Sequence, residues 1–318
     1  MAANYWESTQ RRFWTFSKPQ LALERKKLEE SERSLVTMYP LADWRHLSIY
    51  FFNPANKSRA ELTKIARPLS IRQQALATAQ VYVRRFFTKV EIRRTNPLLV
   101  LATALYLACK MEECPQHIRI ILAEARHCWG KPVCQAKPIS TNSRPDASFD
   151  DISKIGECEF TLISELNSQL IVHHPYRTLA EIQTQFQLTQ EENTLAWSII
   201  NDHYLTDLPL LYAPHVIAIA AMTLAVVLKP TQGGFQAGAA NMANALQVLG
   251  GARNAPGTIS TPRYQKLIDW LAESSVDVEA IVETAQELIS LYQVWDEYNE
   301  KVCKDQIAKF VKQRGLDK

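Results

Sequence analysis

The chain has 318 residues, enough for two domains of ordinary size, each able to bury a core of its own. With 47% apolar and 22% charged residues it reads as a globular protein and not a disordered one. Its 36 basic and 33 acidic residues leave a net charge of +3, too little to require a nucleic-acid partner, whose contacts need a concentrated basic face.

Sparse punctuation, 9 glycines and 15 prolines, favours long helices over many short strands. The first 42 residues form a separate extension. Trp6, Phe13, Trp14 and Phe16 crowd its start, and Ser17-Lys18-Pro19-Gln20 has the form of a capping box that opens a charged helix. From Asp43 the pattern turns helical: Trp44, Leu47, Tyr50 and Phe51 keep a 3.6-residue period, as do Leu76, Ala79, Val83 and Phe86. Asn96-Pro97 marks a helix start, asparagine as N-cap and proline at the first helical position, for a helix running to about Met111. That helix is apolar on nearly every face, which places it at the centre of a domain. Residues 128–150 read as a loop, Asp150 to Leu166 as a helix, and His173-His174-Pro175-Tyr176 as a break. The longest apolar stretches, Leu98 to Cys109 and Val216 to Leu228, fall short of the roughly 20 residues that span a bilayer, so no membrane partner is expected.

The six cysteines (Cys109, Cys114, Cys128, Cys134, Cys158 and Cys303) have no regular spacing, and no export signal opens the chain, so reduced thiols are expected. Cys109, Cys114, His117, His127, Cys128 and Cys134 invite a zinc reading, but no C-x-x-C occurs and Cys109 belongs to an apolar helix. The chain also lacks G-x-x-x-x-G-K, G-x-G-x-x-G, H-E-x-x-H and G-x-S-x-G. No cofactor, no metal and no catalytic residue is expected.

An internal repeat organises the rest. Pro97 and Pro214 each open an apolar helix, 117 positions apart. At that offset Ala79 falls on Ala196, Val83 on Ile200, Phe87 on Tyr204, Ala104 on Ala221, Leu107 on Leu224 and Ala108 on Ala225, without a gap. Small residues one turn apart let a central helix approach its neighbours closely, so the match concerns packing; chance alignment of alanine-rich helices is the competing explanation. An all-α fold of two tandem five-helix domains follows, the second lengthened by a loop from Thr231 to Thr261.

Several motifs resemble the cyclin family. Tyr82-Val83-Arg84-Arg85-Phe86-Phe87 is similar to the Y-x-x-R-F that ends the second helix of a first cyclin box. Leu107-Ala108-Cys109-Lys110-Met111-Glu112-Glu113 is similar to the L-A-S-K-x-E-E that ends the third. Glu157-Cys158-Glu159-Phe160 lies where the fifth helix should be, and Leu170-Ile171-Val172-His173-His174-Pro175-Tyr176-Arg177 resembles the inter-box segment of transcriptional cyclins. Asn4-Tyr5-Trp6-Glu7-Ser8 and Trp197-Ser198-Ile199-Ile200-Asn201-Asp202 narrow the resemblance to the cyclin C subfamily of the Mediator kinase module. The match is weakest in 54–68, 128–148 and 231–261. Arg84 stands where cell-cycle cyclins carry Asp, Cys109 where the motif has serine, and Trp44 to Phe52 lacks their M-R-A-I-L docking patch. The implied layout is an extension (1–42), a first box (43–170), a second box (171–300) and a helical tail (301–318).

Lys110 stands out without the family, because it closes a long apolar run and is followed by Glu112 and Glu113. A cation at a helix C-terminus gains ~0.3–1 kcal/mol from the dipole, which explains the lysine but not the acids. The resemblance implies that Lys110 and Glu159 hold backbone groups of a cyclin-dependent kinase by charge-assisted hydrogen bonds, with Glu157 as the alternative acid. Residues two apart do not share a helical face, so Glu157 and Glu159 are not expected to act together. Trp6, Phe13 and Trp14, with Glu112 and Glu113, are expected to meet another large subunit of the Mediator kinase module, against the competing reading that the aromatics fold back on their own domain. The function implied is nuclear: a regulatory, non-enzymatic subunit that activates the Mediator kinase and so regulates RNA polymerase II transcription. The alternatives are a DNA-binding adaptor resembling general transcription factor IIB, which would need a basic face and usually a zinc ribbon, and an all-helical enzyme with a site between the repeats.

Overall fold

A computed structural model describes residues 4–53, 60–129, 149–228 and 262–317. Among these the regular structure is helical throughout, as the punctuation predicts. The expected loop at 231–261 lies outside the described residues. Of the loop expected at 128–150, residues 130–148 lie outside them and both flanks are helical.

The chain divides into two compact units. The first comprises residues 1–173, 204–211 and 291–318, and the second comprises 174–203 and 212–290. In the first unit a 3-10 turn, Tyr5–Glu7, leads into α1 (Thr9–Phe13), α2 (Lys18–Ser31) and α3 (Arg33–Met38). Ser17 and Gln20 form the reciprocal capping box at the start of α2, with Pro19 in the first turn. Next come α4 (Trp44–Phe52), α5 (Glu61–Ala66), α6 (Gln73–Phe86), α7 (Pro97–Met111), α8 (Ile118–Trp129) and α9 (Phe149–Glu165). The Asn96 side chain accepts from Leu98 N at 3.1 Å, which sets the start of α7. Helix α7 is buried along most of its length with α5, α6, α8 and α9 packed against it, as a helix apolar all round requires.

The second unit holds α10 (Tyr176–Phe186), α11 (Gln190–His203), α13 (Pro214–Leu228), α14 (Pro262–Glu273) and α15 (Val278–Glu297) up to Ser290. The short α12 (Leu208–Leu211) groups with the first unit. Helices α10 and α11 pack on α13. Tyr176 stacks on Trp197 at 4.7 Å, and its hydroxyl donates to Asn201 Oδ1 at 2.8 Å. Shifted by 117 positions, the bounds of α6 fall on those of α11, and the bounds of α7 on those of α13. Ala79, Ala104 and Ala108 are fully buried in the first unit, and Ala196, Ala221 and Ala225 in the second.

Two features were not legible locally. Helix α5 escaped the periodicity because Glu61 and Thr63 are buried among its apolar residues. Glu61 is held by Lys64 one turn on, at 2.7 Å, and bonds to the Tyr50 side chain. The tail expected at 301–318 is helical, α16 (Glu300–Gln313), capped by Asn299. It packs on α4 within the first unit, burying Cys303, Ile307, Phe310 and Val311, while the Gln306 side chain accepts from Ala42 N at 2.8 Å.

Candidate partner-binding site

Lys110 is the penultimate residue of α7. Its ammonium lies 4.5 Å from the Tyr106 ring centroid and forms an ion pair with Glu159 of α9. Tyr106 is one turn before Lys110 on the same helix, so the ring supports the lysine stem and leaves its head at the surface. The lysine side chain is 40% exposed and the glutamate 16%. The ammonium is in water while the pairing oxygen of Glu159 is buried, so the pair is only partly solvated, and it holds Lys110 in one orientation. Thus two residues 49 positions apart in the chain, which the resemblance names together, meet on one surface.

Glu157 does not join them: it is exposed on a different face of α9, as the two-residue spacing predicts. On that face stands Phe160, 77% exposed, three positions on. Met111 is also exposed beyond Lys110. A large aromatic in water, next in the chain to a residue of an ordered charge pair, is a candidate interface anchor. Phe160 was not singled out in the sequence, because an apolar residue on an amphipathic helix reads as core.

The acids after Lys110 part company. Glu112 is half-buried and accepts from Thr78 Oγ1 of α6 at 2.6 Å, tying the end of α7 to the middle of α6. Glu113 is exposed and adopts φ 52°, in the left-handed turn that ends α7.

The N-terminal aromatics also separate. Trp6 and Phe13 are 55% and 57% exposed. The Arg11 guanidinium lies 5.2 Å from the Trp6 ring centroid and donates to Trp6 O at 2.8 Å, fixing the indole at the surface. Trp14 corrects the expectation that these aromatics act together: it is 1% exposed, part of the first unit's own core. Its ring lies 5.1 Å from the buried Arg85 guanidinium, whose Nη1 donates to Gln169 O at 3.1 Å. Burial lowers Arg85 to about 10. Gln10, one turn before Trp14, accepts from His173 N at 2.7 Å and donates to His173 O at 3.4 Å. One face of α1 therefore holds the extension down, while Phe13 on α1 and Trp6 in the preceding turn remain exposed.

Arg84, the departure from the cell-cycle pattern, has a clear role. Its Nη1 donates to Asp207 Oδ1 at 2.6 Å and its Nη2 to Tyr204 O at 2.8 Å. Arg25 of α2 donates to both oxygens of the same carboxylate. Burial pushes the Asp207 carboxyl up, but the hydrogen bond from Arg25 and the charges of both arginines outweigh it and hold it below its ordinary value. Among the described residues no group of three or more His, Cys, Asp or Glu is placed to hold a metal ion, and no helix is long and apolar enough to cross a membrane.

Known proteins match this geometry. The family description "Cyclin, N-terminal domain" fits residues 58–171, the stretch that carries α6, α7 and α9. Solved structures share the fold. The CAK complex from Chaetomium thermophilum bound to ATP-gamma-S contains a chain with TM-score 0.58 and 21% identity, covering 97% of this chain and 88% of that one. The yeast RNA Pol II CTD kinase CTDK-1 complex contains one with TM-score 0.53 and 14% identity, covering 86% and 82%. The class is therefore a cyclin. The RNA polymerase II holoenzyme cyclin-like subunits of Aspergillus oryzae and Neurospora crassa are 53% and 46% identical, with both chains covered throughout. The chain belongs to the family of RNA polymerase II holoenzyme cyclin-like subunits.

Proposed function

We propose that the chain is the non-catalytic, regulatory partner of a cyclin-dependent kinase acting in RNA polymerase II transcription, and that this kinase is the one of the Mediator kinase module. The observation that carries the reading is the Lys110 to Glu159 ion pair, with exposed Phe160 next in the chain. The names of relatives about half identical to it support the transcriptional setting. A kinase is active when its C-helix glutamate pairs with the strand-three lysine. A surface that binds only this arrangement shifts the population toward it by differential affinity, with no chemistry of its own. Lys110 and Glu159 supply charge-assisted hydrogen bonds to kinase backbone groups, and Phe160 and Met111 supply apolar area.

The reading places the chain in the nucleus and divides it into two cyclin boxes built round α7 and α13. Support for the division comes from the coincident helix bounds at the 117-residue offset. Trp6 and Phe13, with Glu113 and the half-buried Glu112, are left to another large subunit of the same module; Trp14 is withdrawn from that surface by its burial. The test is reconstitution. Lys110→Ala with Glu159→Ala should abolish activation of the purified kinase, whereas Trp6→Ala with Glu112→Ala should keep the kinase pair and weaken recruitment of the other subunit. Full activation by the first double variant removes the clamp, and loss of both interactions in the second removes the division of labour.

A further inference from the structure

The turn that ends α7 brings two thiols together. With Glu112 as the C-cap and Glu113 in the left-handed region, Cys114 N donates to Cys109 O at 3.0 Å. This is the six-to-one bond of a Schellman turn, which frequently sets the residue after the left-handed position against the one five positions before it. That contact is commonly apolar. Here both residues are cysteines, and their thiols hydrogen-bond one another. Cys109 is fully buried and Cys114 half-buried, so one sulfur meets solutes and the other waits behind it. The other described thiols near a polar side chain have different company: Cys158 bonds to Thr103, and Cys128 lies 3.9 Å from Glu124.

We propose that Cys109 and Cys114 are a dithiol pair that a hydroperoxide oxidises to an intramolecular disulfide, locking the turn beside Lys110. Cys114, as thiolate, attacks one peroxide oxygen. The O–O bond breaks, the leaving oxygen takes a proton, and Cys114 becomes a sulfenic acid. The Cys109 sulfur then attacks the Cys114 sulfur, the S–O bond breaks, and the Cys109 proton departs with the hydroxyl as water. With hydrogen peroxide, two thiols lose two electrons to the oxidant and two waters form. Burial, aided by the neighbouring Cys114, holds the Cys109 thiol up at about 12. The full burial of Cys109 behind the half-buried Cys114 assigns the first step to Cys114. A disulfide needs its Cβ atoms about 3.5–4.5 Å apart. Closing it draws in residues 110–113 and moves Lys110 relative to Glu159, so the consequence for the kinase rests on the function proposed above.

The first measurement needs no kinase. The full chain is treated with hydrogen peroxide, its remaining thiols are alkylated, and it is digested with trypsin. Lys110 lies between the two cysteines, so cleavage separates them and the bond appears as peptide 95–110 linked to peptide 111–119, released by dithiothreitol. In Cys109→Ser, which restores the serine of the family motif, the link should be absent and dimedone should trap the Cys114 sulfenic acid. Cys114→Ser should form neither product. Peptides that stay unlinked in the wild type, or a Cys114 linked to any other cysteine, overturn the proposal. The second measurement is kinase binding. The oxidised chain should bind about ten-fold more weakly, the scale of one displaced interface anchor, with recovery on reduction and no peroxide effect in Cys114→Ser. A link that leaves binding unchanged overturns the coupling to Lys110. Failure of the reduced chain to bind at all counts against the kinase reading and leaves the disulfide standing.

Discussion

Arg25 holds the Asp207 carboxylate with two parallel hydrogen bonds of 2.7 Å, across 182 positions of sequence. Arg84 shares that carboxylate while almost wholly removed from water. Removing the anion leaves a buried guanidinium without its ion partner, which typically costs ~3–5 kcal/mol. Asp207 keeps 22% side-chain exposure, which places Asp207→Asn near the lower end, at ~3 kcal/mol. Arg84→Met with Asp207→Leu removes both charges and should cost clearly less. Urea denaturation of the three proteins checks the order; equal losses would show that the ions contribute nothing beyond packing.

The same carboxylate sets an acid limit. Its folded value lies below the ordinary 3.8. Its contribution is therefore complete above about 4, where the carboxyl is ionised in both states, and is lost as pH falls through the lower folded value. Stability against pH should show a loss in this acid range in the wild type that is smaller in Asp207→Asn. Identical acid profiles would contradict the assignment.

Trp14 and Trp6 should behave as opposites. Trp14→Ala empties a core position and should cost ~3–5 kcal/mol. Trp6→Ala, at an exposed site, should change stability by less than about 0.5 kcal/mol. Chemical denaturation separates them directly, and comparable losses would mean that Trp6 also supports the fold.

Lys110→Ala with Glu159→Ala should leave the far-ultraviolet circular dichroism unchanged and cost no more than about 1 kcal/mol, because removing both charges together leaves neither without its partner. Kinase activation should fall by at least ~10-fold, the scale of losing interface anchors. A large drop in melting temperature would instead make the pair a structural one.

Ala108→Trp and Ala225→Trp should each overpack a central helix, at ~1–3 kcal/mol or more. Both alanines have no exposed surface. A harmless Ala225→Trp would break the equivalence of α7 and α13.

The sequence made the central helices legible because their periodicity is uninterrupted and asparagine-proline marks where α7 starts. It concealed α5 because buried Glu61 and Thr63 interrupt the pattern. The proposed site was half legible. Lys110 and Glu159 carry charge and a motif, whereas Phe160 carries only hydrophobicity, which does not say whether a side chain faces core or water. The N-terminal aromatics failed for the same reason, although Gln10 and Trp14, one turn apart, share the buried face. Where α16 docks was beyond local pattern, since long-range packing leaves no periodic trace.

The return of α16 to the first unit has a consequence for synthesis. Domains generally fold as units while the chain emerges, the N-terminal one first. Here α4 to α9 belong to a unit whose core still lacks Ile307, Phe310 and Val311 until α16 is translated. Residues 174–290 have all emerged by then, so the later half of the chain can settle before the earlier half is sealed. A nascent chain stalled ahead of α16 would carry an unfilled groove along α4, the kind of apolar surface that holdase chaperones bind.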